Sequence, residues 1–131
     1  DEKYREQANK IAAFILNHPN YPKDGIPYWD FDAPNIPDAL RDASAGALMA
    51  SAFIELSDYV TGPLKQKYKI AAETILTTLS SSQYLATKGT NGGFLLKHSV
   101  GALPLKGEVD VALTYADYYF VEAMLRYLKL L

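Results

Sequence analysis

The connections between the helical segments of this 131-residue chain differ greatly in length, and this difference limits its architecture. The segments Pro19 to Pro37 and Thr87 to Asp110 are rich in proline and in glycine, respectively, so neither sustains regular structure for long. Between them, Thr61-Gly62-Pro63 ends one helical pattern and starts the next. Connections in helical bundles commonly run about 2 to 8 residues. One tight turn between two long loops indicates helical hairpins arranged as a toroid, with both long loops meeting on one rim.

Apolar residues recur at spacings of three and four over four stretches of the chain, which predicts four helices and an all-α fold. The predicted helices cover about residues 2 to 17, 37 to 59, 63 to 79 and 113 to the chain end. Pro37 suits a first helical turn and Asp38 suits the positive end of the helix dipole. The short connection requires the second and third helices to pack as an antiparallel hairpin. The apolar burst Phe94-Leu95-Leu96 predicts a small strand in the second loop.

The composition is that of one folded domain over residues 1–131. Thirteen Lys+Arg against fifteen Asp+Glu give a net charge of -2, which does not favour a nucleic-acid partner. The absence of cysteine excludes disulfides and thiolate nucleophiles, and two histidines alone do not favour a zinc centre. No apolar run approaches the roughly 20 residues that cross a bilayer, so we expect no membrane partner. The chain begins directly in a helical pattern, as a piece of something longer would.

Tyr28, Trp29 and Phe31 place three aromatic rings together in the first loop. Ring faces stack on the apolar face of a pyranose, so this is a composition that sugar-binding clefts use. An aromatic cluster in a long loop also anchors that loop to the core. The sequence leaves both interpretations open.

Aspartates crowd the first loop and the start of the following helix. They are Asp24, Asp30, Asp32, Asp38 and Asp42. A glycosidase-like carboxylate pair among them is one interpretation, but aspartates also form turns and cap helices, and spacing alone does not set their separation. We favour the structural interpretation, and likewise a structural ion pair for Arg41 and Asp42. The small residues that follow, Ala43 to Ala47, favour close helix packing over ligand contact.

His98 is the better functional candidate of the two histidines. It lies between Lys97 and Ser99 in the second loop, whereas His18 closes the first helix at the negative end of its dipole. A triad of Ser99, His98 and an aspartate is not favoured, because sequence neighbours seldom face each other and no G-x-S-x-G motif is present.

Three segments occur in order and at suitable intervals: PYWDFDAPNIPDALRDASAGALMASAFIEL (Pro27 to Leu56), GGFLLKHSVG (Gly92 to Gly101) and EVDVALTYADYYFVEAMLRY (Glu108 to Tyr127). Together they resemble the unsaturated glucuronyl hydrolases, glycoside hydrolase family 88. The resemblance implies an (α/α)6 barrel, of which this chain would be about the C-terminal third. It also implies release of 4,5-unsaturated uronic acid from lyase-generated oligosaccharides: water adds across the vinyl ether double bond, and the resulting hemiketal opens. An aspartate would act as general acid and base, with no metal or other cofactor.

The resemblance leaves the catalytic residues of this chain unknown, because the acid/base aspartate and most uronate-binding residues of the family belong to hairpins that these residues do not match. The positions that carry over from the family are supporting ones. We predict that six of them bind substrate: Tyr28, Trp29, Asp30, Arg41, His98 and Ser99. The other two are Phe31 and Asp42.

The leading hypothesis is that the chain is the C-terminal part of a family 88 hydrolase, inactive alone, whose two long loops form one wall of a cleft for an unsaturated uronate oligosaccharide. The alternative is a non-catalytic helical module that binds carbohydrate or protein. An open part of a toroid exposes apolar faces, so we also expect an oligomer or contacts with another chain. The compartment is left open, with the bacterial cytoplasm or periplasm as the expectation.

Overall fold

A computed structural model describes residues 1–130 and contains, within them, four helices and one two-stranded hairpin. The helices are α1 (Glu2–Asn17), α2 (Ala43–Ser57), α3 (Gly62–Leu79) and α4 (Thr114–Leu128), and the strands are β1 (Ser99–Ala102) and β2 (Gly107–Val111). Single turns of 3-10 helix lie at Asn91–Gly93 and Leu103–Leu105. The mostly helical fold confirms the predicted class, to which the structure adds the hairpin.

Helix α2 is the centre of the molecule and packs against α1, α3, α4 and β1. Its buried surface is made largely of small residues, among them Ala43, Gly46, Ala47 and Ala50. A Cβ atom at Gly46 would lie only 3.0 Å from Cδ1 of Ile26, so the first loop packs directly on the helix backbone there. The run of small residues therefore serves close packing, as predicted.

The second and third helices form the predicted antiparallel hairpin. Near the tight turn, the Phe53 ring stacks on the Tyr68 ring with their centroids 5.8 Å apart. At the far end, Gly46 faces Ile75, whose Cγ2 lies 3.7 Å from the position of a Cβ at that glycine. Pro63 occupies the first turn of α3, where its missing N–H costs no helical hydrogen bond.

The predicted start of the second helix is wrong, because α2 begins at Ala43 rather than at Pro37. Asp42 is the residue that caps the helix, since its side chain accepts a hydrogen bond from the backbone N–H of Ser44. The residues before it are extended: Leu40 accepts a 2.9 Å backbone hydrogen bond from Trp29, and Arg41 forms an antiparallel bridge with Tyr28. This extended pairing within the first loop outcompetes the local preference of Pro37 for a helix start.

The predicted strand is also misplaced. Leu96 makes only an isolated bridge with Leu85, and the paired strands are β1 and β2, which run antiparallel. Val100 is paired with Val109, but Ser99 is paired with Val111, so β2 contains one extra residue between these two pairs. That residue is Asp110, and the irregularity is a β-bulge.

Two helices carry large apolar side chains on exposed faces. Tyr4, Ile11 and Phe14 are exposed on α1, and a second row on α4 includes Val121 and Leu125. Within residues 1–130, no helix is both long enough and apolar enough to cross a membrane.

Candidate functional site

The two long loops meet at the N-terminus of α2, and Asp42 joins them. Its Oδ1 accepts hydrogen bonds from the backbone N–H of Ser44 (2.9 Å), the Ser44 hydroxyl (2.6 Å) and the backbone N–H of Val100 (3.1 Å). The backbone N–H of Asp42 donates to Pro27 of the first loop, and Ala43 donates to the carbonyl of His98 in the second. The predicted convergence of the loops is thus confirmed, and a buried carboxylate holds it together.

Arg41 is engaged within the first loop. Its Nε donates to the Ile26 carbonyl at 2.8 Å, its Nη2 pairs with the Asp24 carboxylate, and its guanidinium carbon lies 4.9 Å from the centre of the Tyr28 ring. The predicted ion pair between Arg41 and Asp42 is wrong, because Asp24 is the partner of Arg41 while Asp42 caps α2. Stacking of a guanidinium on a tyrosine ring fixes the orientation of both groups.

The aromatic residues of the first loop divide between two roles. Phe31 packs against the rings of Phe14 and His18, at centroid distances of 6.0 and 4.8 Å, so it anchors the loop to α1. Tyr28 and Trp29 are half-buried and keep part of their ring surface open to solvent. Asp30 is exposed, and its carboxylate accepts from the backbone N–H of Asp32 at 2.8 Å, which is a turn-forming contact.

His98 is presented on the rim by an uncommon backbone conformation. Its φ angle is +64°, in the left-handed region that residues other than glycine rarely occupy. The imidazole Nδ1 lies 2.7 Å from Oδ1 of Asp110, and the ring meets Tyr84 edge-on at 6.1 Å. The His98 side chain is 45% exposed, so part of the ring remains available to a ligand.

Ser99 points the other way. It is completely buried, and its Oγ has no hydrogen-bond partner within residues 1–130. In this conformation the hydroxyl does not reach the surface. Substrate binding by Ser99, as by the other five predicted residues, stays a prediction.

Four further polar groups at the junction escaped the sequence analysis: Tyr84, Glu108, Asp110 and Tyr115. Burial raises the pKa of the Tyr84 phenol, and partial burial raises the pKa of Tyr115, an effect that the charge of Glu108 increases. A Cβ atom at Gly101 would collide with the Glu108 carboxylate and lie 2.9 Å from the Tyr115 hydroxyl. The absence of a side chain at Gly101 therefore leaves space for both groups. Only the pairing register of β1 and β2 brings Glu108 and Asp110 to the rim, and spacing in the sequence does not reveal it.

The structure therefore gathers Tyr28, Arg41 and His98 around the start of α2, with Tyr84 next to the histidine. Trp29 and Asp30 belong to the same first loop, but within residues 1–130 no hydrogen bond or ring contact joins them to the second loop. No group of three or more His, Cys, Asp or Glu side chains in this part of the chain is arranged to hold a metal ion. Open aromatic faces and hydrogen-bonding groups on one rim suit a polyhydroxylated ligand.

Comparisons with known proteins agree with that chemistry. The chain is 46% identical over 124 residues to an unsaturated glucuronyl hydrolase of Formosa agariphila. This alignment covers 95% of the present chain and 30% of the Formosa agariphila protein. A crystal structure of an unsaturated glucuronyl hydrolase specific for heparin superposes with a TM-score of 0.95 at 54% identity, covering 99% of this chain and 34% of the other. No protein-family model matches the chain.

A second similar structure contains a sugar. It is a variant of the unsaturated glucuronyl hydrolase of Streptococcus agalactiae, complexed with dGlcA-GalNAc6S; the TM-score is 0.76 at 31% identity, over 86% of this chain and 30% of that one. The chain thus spans about a third of the length of the proteins that it matches.

The four helices and the small hairpin match about a third of an (α/α)6-barrel glycosidase. By homology the chain corresponds to a segment of about that length from the unsaturated glucuronyl hydrolase family, a family of glycosaminoglycan degradation.

Proposed function

We propose that this chain is the C-terminal third of an unsaturated glucuronyl hydrolase and that its two joined loops form one wall of the saccharide cleft. The complete protein would release 4,5-unsaturated uronic acid from oligosaccharides left by polysaccharide lyases. The match to the Formosa agariphila hydrolase over nearly the whole chain carries this proposal. The heparin specificity of one similar protein and the chondroitin-type sugar bound to another support the substrate class.

The half-buried rings of Tyr28 and Trp29 suit stacking on a sugar ring, and the half-exposed His98 offers a hydrogen bond to a hydroxyl group. Arg41 has a different task in this proposal. Because Asp24 and the Ile26 carbonyl already occupy two of its donor groups, it holds Tyr28 in place and is not the main partner of the uronate carboxylate.

The proton donor for hydration of the double bond lies outside these residues in our proposal. Two aspartates of the junction support this assignment, because both are engaged structurally. Asp42 accepts three hydrogen bonds within the fold, and Asp24 is paired with Arg41. Neither is placed as a free acid next to the exposed aromatic surface.

The test compares the product of the complete reading frame that contains residues 1–131 with a protein made of these residues alone. Unsaturated disaccharides from heparin and from chondroitin are supplied, and hydration is followed as loss of the ultraviolet absorbance of the conjugated double bond. We expect turnover by the complete product and none by the 131-residue protein.

Turnover by the 131-residue protein alone would contradict the placement of the proton donor. A complete product that binds the disaccharides in calorimetry without converting them would favour the non-catalytic module instead. Trp29→Ala in the complete product should raise KM, and Tyr59→Ala serves as its control, because Tyr59 is an exposed aromatic at the end of α2 remote in sequence from both loops.

A further inference from the structure

We infer that Asp110 is a positioning residue: it fixes the His98 imidazole in the tautomer protonated on Nδ1, so that Nε2 is a ready acceptor for a sugar hydroxyl. This inference rests on the proposed function for its ligand. It adds the acting atom of His98 and a residue that the sequence analysis did not single out.

Hydrogen bonds fix the backbone at His98. The His98 carbonyl accepts a 3.0 Å hydrogen bond from the N–H of Ala43, and Val100 donates to the Asp42 carboxylate. These two bonds hold the backbone on both sides of Ser99 to the first turn of α2. The backbone that carries the imidazole is therefore held in a fixed position.

The β-bulge then aims Asp110 at the ring. Asp110 is the extra residue of β2, and its φ angle is +54°. A bulge redirects a side chain from the regular alternation of a strand, and bulges are frequent beside active sites. His98 and Asp110 both occupy left-handed backbone conformations that cost free energy, a kind of strain that concentrates at ligand-binding sites.

The hydrogen bond between the two side chains determines where the imidazole proton lies. A carboxylate only accepts hydrogen bonds, so the 2.7 Å contact with Asp110 places the proton on Nδ1 of the neutral ring. Nε2 then carries a lone pair, and no hydrogen bond within residues 1–130 engages it. A sugar hydroxyl is a suitable donor to this atom.

The second histidine supplies an internal contrast. Nδ1 of His18 accepts a 3.2 Å hydrogen bond from the backbone N–H of Asn20, which places the proton of the neutral ring on Nε2. The two histidines of this segment are therefore expected in opposite tautomers.

The experiment uses the complete product labelled with nitrogen-15 in histidine, and assigns the two residues from the signals lost in His98→Gln and His18→Gln. The nitrogen shifts at alkaline pH should report the Nδ1–H form for His98 and the Nε2–H form for His18. In Asp110→Ala the Nδ1–H preference of His98 should be lost, whereas Asp110→Asn should retain it in part, since the amide oxygen still accepts.

Glu108→Ala is the matched control, because Glu108 is also a carboxylate of β2 with a positive φ angle, of +50°. Like Asp110→Ala, Glu108→Ala places alanine at a positive φ angle and removes one negative charge. It should leave the His98 tautomer unchanged. An unchanged tautomer in Asp110→Ala, or an equal change in Glu108→Ala, would overturn the inference.

Kinetics of the complete product test the acting atom. Loss of one hydrogen bond to substrate should raise KM about tenfold in Asp110→Ala with little change in kcat. His98→Gln, whose amide nitrogen and oxygen lie near the Nε2 position, should retain more affinity than His98→Asn; the reverse order would overturn the assignment of Nε2. If the wild-type product has no activity at all, the proposed function fails while the tautomer measurement still decides the role of Asp110.

Discussion

Asp42 concentrates several structural roles in one carboxylate. It caps α2, bonds the Ser44 hydroxyl and holds Val100 of the second loop, all from a buried position. A buried acceptor that serves three donors is costly to remove, because each donor is then left without a partner.

We therefore expect Asp42→Ala to lower the free energy of unfolding by about 3 kcal/mol and Asp42→Asn by about 1 kcal/mol, since asparagine still caps helices well. Urea denaturation measures both. Asp30→Ala is the comparison, because the contact of the exposed Asp30 carboxylate within the fold is that of a local turn, and its removal should cost less than about 1 kcal/mol of stability. Equal losses for Asp42→Ala and Asp30→Ala would contradict the central role of Asp42.

Tyr21 makes stability depend on alkaline pH. Burial first, and then the charge of Asp24, raises the pKa of its phenol from 10.0 to about 12. The folded state thus holds this proton more tightly than the unfolded state. The resulting stabilisation is complete below about pH 10 and is lost as the pH rises through about 12.

In Tyr21→Phe, the decline of stability between pH 10 and 12 should be shallower than in the wild type, as measured by urea denaturation at a series of pH values. At neutral pH the variant should also lose up to about 1 kcal/mol, because the phenol donates to the Gly25 carbonyl. Tyr4→Phe removes the hydroxyl group of a tyrosine that is 75% exposed, and at neutral pH it should cost less stability than Tyr21→Phe.

At the scale of single residues, the sequence points to candidates that are informative by residue type and does not reveal those whose placement depends on strand register. The rings of the first loop and His98 are candidates of the first kind, and their binding role stays a prediction. Asp110 was missed because its role depends on a bulge, and a shift of one residue in pairing moves a side chain to the other face.

Among the elements, the hairpin of α2 and α3 and the first loop form one packed unit. Gly25 of the loop lies directly on α3: its φ angle is +81°, and a Cβ there would lie 2.6 Å from Cγ1 of Ile75. The loop thus fits the helix surface only because this position lacks a side chain.

Gly25→Ala should lower the free energy of unfolding by about 2 to 4 kcal/mol, through backbone strain and overpacking together. Gly62→Ala is the matched control. Its φ angle is +61° but nothing lies within 4 Å of the added Cβ, so strain alone should cost about 1 kcal/mol. Thermal or urea unfolding measures both variants, and the difference between the two losses of unfolding free energy is the contribution of packing at Gly25. Similar losses for the two variants would contradict such a contribution.

The sequence predicts the boundary of an element correctly where a local helix-ending motif is not opposed by a long-range contact. α1 and α3 begin and end close to the prediction because His18-Pro19 and Thr61-Gly62-Pro63 interrupt the helical pattern sharply. The start of α2 was misplaced since Pro37 offers a good first helical turn, and only the pairing of Arg41 with Tyr28 shows that the chain is still extended there. Such long-range pairing is not encoded in local preference.

At the scale of the whole molecule, α1 and α4 leave apolar faces exposed to solvent. Val121 is 44% exposed and Leu125 57% exposed on the same side of α4, one turn apart. The matched proteins are about three times as long as this chain, and we propose that their additional hairpins have counterparts that cover these faces.

A protein consisting of residues 1–131 alone should therefore self-associate, and Val121→Lys with Leu125→Lys should reduce that association in light scattering. Leu105→Lys is the control, because Leu105 is 84% exposed at the hairpin tip, away from either helix face, and its replacement should change little. In the complete product the double variant should instead lower the unfolding temperature. A monodisperse wild-type monomer of the 131 residues would contradict the prediction.

The double use of the Asp42 carboxylate links two local unfolding events. The backbone N–H groups of Ser44 and Val100 share this one acceptor, so fraying of the first turn of α2 and detachment of the β1–β2 hairpin are the same opening. Hydrogen exchange at the two amides then occurs with a common free energy, and the rim is as rigid as the helix on which it is mounted.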